Sequence, residues 1–421
     1  MLKNSLLFLL LSAQVSAQSL EDLFLQAKSK NEALQNTQYQ KELASLTRKV
    51  ADLNRYNPRI PLSYQALDNI ALQKVLVPGV IFGLPEGTYK EMIMGQKYSS
   101  TLSVAPQFDI LNFGLSAQKK SAVQNEKLVL GQSLQKERDI YLQLNSAYHN
   151  VLSYQGQLQL LRENLQTADK ILQIISDRLE EGLVRPQEKN EAEINVLNIR
   201  DNIEQLEIQW NLQREMLRLL SRSTDTIEVT DSEYQGSAQL SELDKRVAEA
   251  KAELAAADKE VAKRDQWPVL SAISSFNWQN LSNSFFYGSG NSPIYYAYLG
   301  LKLSWDLPST PQKISNYKSK EIQYKIAQNE IKSAEEQGFY DHMQRQADLQ
   351  KAKNRVQNLR KIEELKKDTF DKNYARFEEN VLTLDELLQS QNDWINSRIN
   401  RLKEEVNAKY ASYTIKIYNE Y

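Results

Sequence analysis

Two patterns of apolar and polar residues follow one another along this chain of 421 residues. In the first, apolar residues recur at alternating steps of three and four positions, which is the spacing of one narrow face of an α-helix. Such a narrow face is typical of helices that pack as a coiled coil rather than inside a globular core. Three series are the clearest: Leu158, Leu161, Leu165, Ala168, Leu172, Ile175 and Leu179; Val196, Ile199, Ile203, Leu206, Trp210, Gln213, Leu217 and Leu220; Leu388, Gln391, Ile395, Ile399, Leu402, Val406, Tyr410, Tyr413 and Ile417.

In the second pattern, apolar and polar residues alternate one by one, which predicts β-strands at about 59–70, 97–111, 268–280 and 295–308. A strand of a soluble sandwich with one wet face would alternate in the same way. These segments, however, are a dozen or so residues long, enough to cross a bilayer at a tilt. Aromatic residues also mark their ends, as in the interfacial girdle of membrane strands. We therefore interpret them as four transmembrane strands. The aromatic residues are Tyr64, Tyr98, Phe108, Trp278, Tyr295 and Trp305.

The same order of elements, helix–strand–strand–helix–helix, occurs twice, in residues 18–225 and again in 226–421. A unit of about half the chain that is used twice predicts two pseudo-symmetric copies packed side by side. Three matches carry the repeat: Arg178–Val184 with Arg376–Leu382 at an offset of 198, Phe108–Ile110 with Trp305–Leu307 at 197, and Arg55–Pro58 with Asp265–Pro268 at 210.

Helix ends follow from caps and prolines. We expect one helix from Leu20 to Arg55, because Ser19 can cap its start and Pro58 ends it. The proline-free stretch from Leu115 to Glu181 predicts a helix about 100 Å long at 1.5 Å per residue. Between the first two predicted strands, residues 79–95 are expected to form a surface loop.

Two short turns, residues 181–187 and 379–385, are the predicted tips of two helical hairpins. Gly182 and Asn380 occupy equivalent places in them. Both residue types tolerate the left-handed backbone conformation that closes a helix.

Residues 1–17 are predicted to be a secretory signal peptide. Lys3 supplies the positive charge, Leu6–Leu11 the apolar core, and Val15–Ala17 the small-residue cleavage site. The chain is therefore expected to leave the cytoplasm. No later segment reaches the eighteen or so uninterrupted apolar residues of a membrane helix, and the absence of cysteine excludes disulfides.

The charges and the reactive residues point away from catalysis. The net charge is −2, with 52 basic and 54 acidic residues interspersed, which gives no basic face for a nucleic acid. His149 and His342 are the only histidines, and neither has a second ligand at metal-site spacing. No phosphate-binding glycine loop or nucleophile motif is present. We predict no enzyme, no cofactor and no metal site.

Four strands cannot close a barrel, since the smallest membrane barrels have about eight. An open strand edge in lipid would leave backbone groups unpaired at a cost of several kcal/mol each. If the strands lie in lipid, the chain must therefore oligomerise, and a ring of such subunits would enclose a pore.

In this arrangement of signal peptide, repeated strands and paired hairpins, the whole mature chain resembles the TolC-like outer-membrane efflux proteins. The resemblance implies a mainly α fold with transmembrane β-strands: long coiled-coil hairpins form a periplasmic tunnel, and four strands per chain contribute to an oligomeric β-barrel. It also implies a homotrimer in the lipid of the outer membrane, with most of the chain in the periplasm. Such a channel is a passive duct that works with a periplasmic adaptor (membrane fusion protein) and an inner-membrane pump of RND, ABC or MFS type.

The resemblance also implies roles for residues at the tips. Asp385 and Glu386 would ring the periplasmic entrance as a gate, with Glu188 at the equivalent place of the first hairpin. Both acids of the second hairpin could instead only favour a helix start, where the dipole attracts negative charge. Leu382 stands where some members carry an arginine that locks the entrance to an acid, which puts that lock in doubt.

The tips are also the predicted adaptor-docking surface, because their apolar residues have no evident core to bury them. Packing between hairpins of one trimer would explain the same residues. The docking residues are Gly182, Leu183, Val184, Arg185, Asn380, Val381, Leu382 and Thr383.

Two other classes of protein compete with the channel. A periplasmic or secreted coiled-coil scaffold would use the strands as ordinary sheet and would be recovered without detergent. An adaptor of the same export machines would have one hairpin flanked by small β-domains, rather than two hairpins in tandem.

Overall fold

The computed structural model describes residues 19–54, 56, 58–223, 234, 236–285, 292–307 and 310–421. The predicted signal peptide, residues 1–17, lies outside them. The helices are α1 (Leu20–Lys30), α2 (Glu32–Leu53), α3 (Phe113–Glu180), α4 (Pro186–Ser221), α5 (Leu243–Arg264), α6 (Pro311–Glu378) and α7 (Leu384–Glu420). The strands are β1 (Leu62–Asp68), β2 (Gln73–Pro78), β3 (Tyr89–Met94), β4 (Tyr98–Val104), β5 (Gln107–Leu111), β6 (Val269–Ser282) and β7 (Ser292–Ser304).

One compact unit contains α1, α4, α7 and most of α3 and α6, and its described residues fall within 19–42, 128–250 and 329–421. Its largest apolar cluster joins α1, α3, α4 and α7. Leu144 and Tyr148 of α3 are fully buried there, together with Leu217 of α4 and Ile417 of α7. Leu217 and Ile417 are members of the predicted three–four series, whereas Leu144 and Tyr148 precede the first of these series in the sequence.

The predicted single helix from Leu20 to Arg55 is wrong, because the helix is interrupted at Asn31. The Asn31 side-chain amide donates to the Leu220 carbonyl oxygen at 2.8 Å, and its Oδ1 accepts from the Ala33 N–H at 2.9 Å. The second bond caps α2 in the way that asparagine favours. The side chain thus caps the start of α2 and ties the junction of the two helices to α4.

The second unit, residues 43–127 and 251–328, contains an antiparallel sheet. Its strands lie in the order β1, then β4 and β5 end to end, then β6, then β7. The predicted strand 97–111 is therefore a single path divided into β4 and β5 at Ala105 and Pro106. Proline has no N–H for the ladder, which explains the interruption, and the Pro106 carbonyl still accepts from the Ser274 N–H at 2.9 Å.

The expectation of a loop over residues 79–95 is wrong in part. Tyr89–Met94 forms β3, which pairs with β2 as a separate two-stranded hairpin, and Gly79–Phe82 is a short 3-10 helix. The residues of this hairpin mix apolar and charged types on both faces, so the alternation that marks the four main strands is absent from it.

The main sheet exposes its apolar face. Leu299, Leu301 and Leu303 of β7 are 83%, 69% and 68% exposed, whereas Ser271 and Ser275 of β6 are buried. A sheet of a soluble protein has the opposite arrangement, with its apolar face on the core.

None of the helices in the described part of the chain has the length and apolar character needed to cross a lipid bilayer. The predicted fold class is confirmed: the chain is mainly α, with two long helical hairpins and four strand paths in one sheet.

Candidate functional site

The two hairpin tips close with the same backbone geometry. At the first, Gly182 has φ +75°, the Gly182 N–H donates to the Leu179 carbonyl, and the Leu183 N–H donates to that of Arg178 at 2.8 Å. This pair of bonds is a Schellman motif. At the second, Asn380 has φ +61°, and the equivalent two bonds are present. The predicted equivalence of Gly182 and Asn380 therefore extends to their hydrogen bonds.

The returning helices begin with side-chain caps. Thr383 Oγ1 accepts from the Glu386 N–H at 3.4 Å, and the Glu386 carboxylate accepts from the Thr383 N–H at 3.3 Å and from the hydroxyl at 2.9 Å. This is a reciprocal capping box. In the first hairpin the Glu188 carboxylate lies 3.5 Å from the Arg185 backbone N. Glu386 and Glu188 thus face their own helix starts.

Asp385 differs from both. Its side chain is exposed and has no hydrogen-bond or ion-pair partner among the residues that the structure describes. Of the three predicted gate acids, it alone has a carboxylate not engaged in a cap.

The four apolar tip residues divide into two pairs. Leu183 and Val381 are 65% and 62% exposed. Val184 and Leu382 instead pack against a buried cluster that includes Phe377. The expectation that no core lies near them is wrong for this second pair, because residues of both hairpins form that core together. The buried members of the cluster are Ile171, Ile175, Ala192, Phe370, Phe377, Leu384 and Leu387.

A contact just below the tips was not assigned from the sequence. Arg178 Nη2 donates to the carbonyl oxygens of Phe377 at 3.0 Å and Glu378 at 3.2 Å, and its guanidinium lies 4.6 Å from the centre of the Phe377 ring. These carbonyls end α6, where the helix dipole favours a cation. The sequence shows a basic residue in the last turn of a helix. It does not show which helix end that residue contacts.

The repeat equivalent of Arg178 is Arg376. Its side chain is exposed and has no such partner within the described ranges. The two arginines of the repeated segment therefore stand in different surroundings within one chain.

The histidines have ordinary structural contacts. His149 is buried, and its Nδ1 lies 2.9 Å from the Asn145 carbonyl oxygen of the preceding helical turn. His342 Nδ1 lies 3.1 Å from the Gln239 carbonyl oxygen. Within the described ranges, no group of three or more His, Asp or Glu side chains is placed to hold a metal ion.

The faces of the sheet form a second candidate site, in their own unit. Two adjacent cross-strand rows near the middle of the sheet each keep one character across all four paths. Leu62, Val104, Phe276 and Ala297 form one apolar row. The adjacent row on the opposite face is Ser63, Ser103, Asn277 and Tyr296. The sheet thus separates an apolar surface from a polar one.

Solved structures of outer-membrane channels share this fold. VceC, an outer membrane protein of Vibrio cholerae, matches with a TM-score of 0.74 over 95% of this chain and 94% of its own, at 15% identity. The MtrE outer membrane channel of Neisseria gonorrhoeae matches at 0.72 over 95% and 88%, at 13% identity. The CmeC outer membrane channel of Campylobacter jejuni matches at 0.69 over 94% and 85%, at 12% identity.

No protein-family model and no curated protein sequence matches the chain significantly. The solved structures therefore confirm the resemblance inferred from the sequence, and they confirm it as a resemblance of fold.

Proposed function

We propose that this protein is a passive channel-tunnel of the outer membrane, through which an efflux or type I secretion system exports its cargo. The observation that carries the proposal is the sheet with its apolar face outward and its polar face opposite. Lipid would cover the apolar residues, and the polar rows would line water, as in membrane barrels. The shared fold with outer-membrane channels supports the same function.

The channel would be a homotrimer. The described strands give four paths per chain, and three chains would supply twelve, which is enough to enclose a pore. The unpaired outer edges of β1 and β7 require partners if they lie in lipid. The helical hairpins would lie in the periplasm as a tunnel, and energy would come from an inner-membrane pump linked by a periplasmic adaptor.

At the tips, Leu183 and Val381 are the residues best suited to contact the adaptor. They are apolar, exposed and equivalent in the two hairpins. Gly182, Asn380, Arg185 and Thr383 would shape the same surface, whereas Val184 and Leu382 would support it from below.

The entrance gate would consist of Asp385, Glu386 and Glu188, repeated around the threefold axis. A ring of carboxylates attracts cations and disfavours anions at a constriction. Because Glu386 also caps α7, loss of its carboxylate should lower both stability and selectivity, whereas Asp385 makes no capping bond and contributes only the weaker stabilisation of an acid in the first turn.

The gate is tested by the conductance of the purified protein in planar bilayers. Asp385→Asn should reduce cation selectivity with only the small loss of thermal stability that follows from removing an acid in the first helical turn. Glu386→Ala removes the capping carboxylate and should reduce both selectivity and thermal stability. Unchanged selectivity in both variants would place the gate elsewhere.

The channel itself is tested by the wild-type protein. It should fractionate with the outer membrane, require detergent for extraction and give discrete conductance steps. Recovery in a detergent-free periplasmic extract, without conductance, would favour the scaffold.

A further inference from the structure

The outer edges of the main sheet are open. β1 pairs only with β4, and β7 pairs only with β6, among the strands that the structure describes. Each edge presents a row of backbone N–H and C=O groups that can pair with another chain. Which residues would meet there is decided by the register.

The two hairpins of the sheet have the same register once the repeat offsets are applied. In the first hairpin, Leu62 is opposite Val104. Adding the offset of 210 to the first residue and 197 to the second gives Ala272 and Leu301, which are opposite each other in the second hairpin. These offsets come from sequence matches that lie outside the paired residues of the two hairpins. They nevertheless reproduce the strand pairing of the second hairpin residue by residue. The repeat is therefore a repeat of strand register, not only of element order.

The contact between the two copies is also visible within one chain. It is the pairing of β4 and β5 with β6, in which Val104 is opposite Phe276 and Ser103 is opposite Asn277. The same register continues where Phe108 is opposite Ala272, beyond the interruption at Pro106. This junction therefore has one register along most of its length.

We propose that β7 of one subunit pairs antiparallel with β1 of a second copy of this chain, in the register of the β4–β6 junction. Applying the same offsets places Leu301 opposite Ala66, Leu303 opposite Tyr64 and Gly300 opposite Leu67 of the neighbouring subunit. The proposal rests on the oligomeric channel above and names the residues that close it.

The register keeps the two faces continuous. Leu301 and Leu303 belong to the exposed apolar face, and so do Tyr64 and Ala66. A slip by one residue would turn one strand over and place its apolar residues on the polar side. A register shifted by two residues would also leave the apolar residues of both strands on the same face, so these shifted registers are the competitors.

Both positions can take a cysteine without crowding inside one chain. A side chain built at Gly300 would approach only Ile273, at 4.0 Å, and Leu67 at the facing position is exposed. Substitution at either position should not disturb the chain's own packing.

Cysteine cross-linking tests the register, and the native chain contains no cysteine that would interfere. Directly opposite residues have Cβ atoms about 5 Å apart, close to disulfide range, whereas diagonal neighbours are about 7–8 Å apart. The test pair is Gly300→Cys with Leu67→Cys. Shifted controls combine Gly300→Cys with Gln65→Cys or with Asn69→Cys. Ser103→Cys with Asn277→Cys, the equivalent pair of the observed junction, is the intrachain control.

After mild oxidation of the detergent-solubilised full-length protein, the Gly300–Leu67 pair should give covalent trimers on a non-reducing gel. The two shifted pairs should give at least tenfold less. The intrachain control should form its disulfide without adding mass, as peptide mapping would show.

A shifted pair that links most efficiently would overturn the register while leaving an oligomeric channel intact. If none of the three pairs forms a cross-link while the intrachain control does, the proposed pairing of β7 with β1 is overturned. Wild-type conductance is measured in parallel. If the wild-type protein conducts but the cysteine pairs do not cross-link, the strand pairing is wrong and the proposed channel function still holds.

Discussion

At each hairpin tip, one residue in the left-handed backbone conformation ends the long helix. Gly182 and Asn380 both lie in the left-handed region, and a Cβ added at Gly182 would meet no atom within 4 Å. Any cost of substitution there is therefore a cost of backbone conformation and not of crowding.

Gly182→Ala should lower stability by about 1–2 kcal/mol, the cost of a left-handed L-residue. Asn380→Gly, at the equivalent place, should be neutral or slightly stabilising, because glycine adopts this conformation freely. Urea unfolding of both variants checks the pair. Equal destabilisation by both would contradict this explanation.

An ion pair between the buried Arg138 and the half-exposed Asp244 makes stability depend on pH. Arg138 Nη1 and Nη2 donate to the Asp244 carboxylate at 2.7 and 2.9 Å, and Gln135 donates to it at 2.7 Å. Burial raises the pKa of Asp244, but these hydrogen bonds outweigh it, so the pKa lies below its ordinary value. A carboxyl with a lowered folded-state pKa adds stability above its unfolded pKa of about 3.9 and loses it as pH falls further.

Asp244→Asn should therefore destabilise the protein at pH 7 and have a smaller effect near pH 3. Melting temperatures measured across this range test the sign. A difference between wild type and variant that grows on acidification would contradict it.

At the scale of elements, the features best predicted from the sequence are those that repeat at a fixed spacing along the chain. The three–four series marked the long helices, and the one-by-one alternation marked the strand paths and their faces. The offsets between repeated segments also agree with the strand pairing that the structure shows, because both copies use one register.

What the sequence did not reveal depends on a neighbour in space. Asn31 interrupts a helical pattern because the Leu220 carbonyl, distant in sequence, accepts its amide. Val184 and Leu382 are half-buried because two hairpins share one cluster, which neither tip sequence contains alone. The capping box of Thr383 and Glu386 has a local sequence signature, whereas the contact of Arg178 with the end of α6 has none.

The division of the tip residues gives a prediction for docking. Leu183→Asp with Val381→Asp should abolish export with little loss of stability, since both side chains are exposed. Val184→Asp with Leu382→Asp should instead destabilise the tips, because charge would enter an apolar cluster. Export assays and thermal unfolding of the two double variants separate contact from packing. If export survives the first pair, the exposed tip residues are not the docking contact.

For the molecule as a whole, the outward apolar face should decide membrane assembly. Leu301→Arg should reduce the yield of assembled protein, because a charge near the bilayer midplane costs about 2–4 kcal/mol on a strand's lipid face. Tyr298→Arg, on the opposite face of the same strand, is the matched control and should assemble normally. Equal yields of the two variants in outer-membrane fractions would contradict the assignment of faces.

The register of the sheet has a further consequence, for bilayer thickness. Leu62 lies level with Phe276 two strands away, yet its repeat equivalent is Ala272, four residues earlier. If three subunits close the proposed ring, a shift of about 13 Å over about 9.6 Å of sheet width would incline the strands by roughly 55°, steeper than the 35–45° of most barrels. A strand of 13 residues, such as β7, is then about 43 Å long but rises only about 25 Å, the height of the apolar band of outer-membrane barrels. Strand length and stagger therefore fit one membrane together, and lengthening the strands without changing the stagger would leave apolar residues in water.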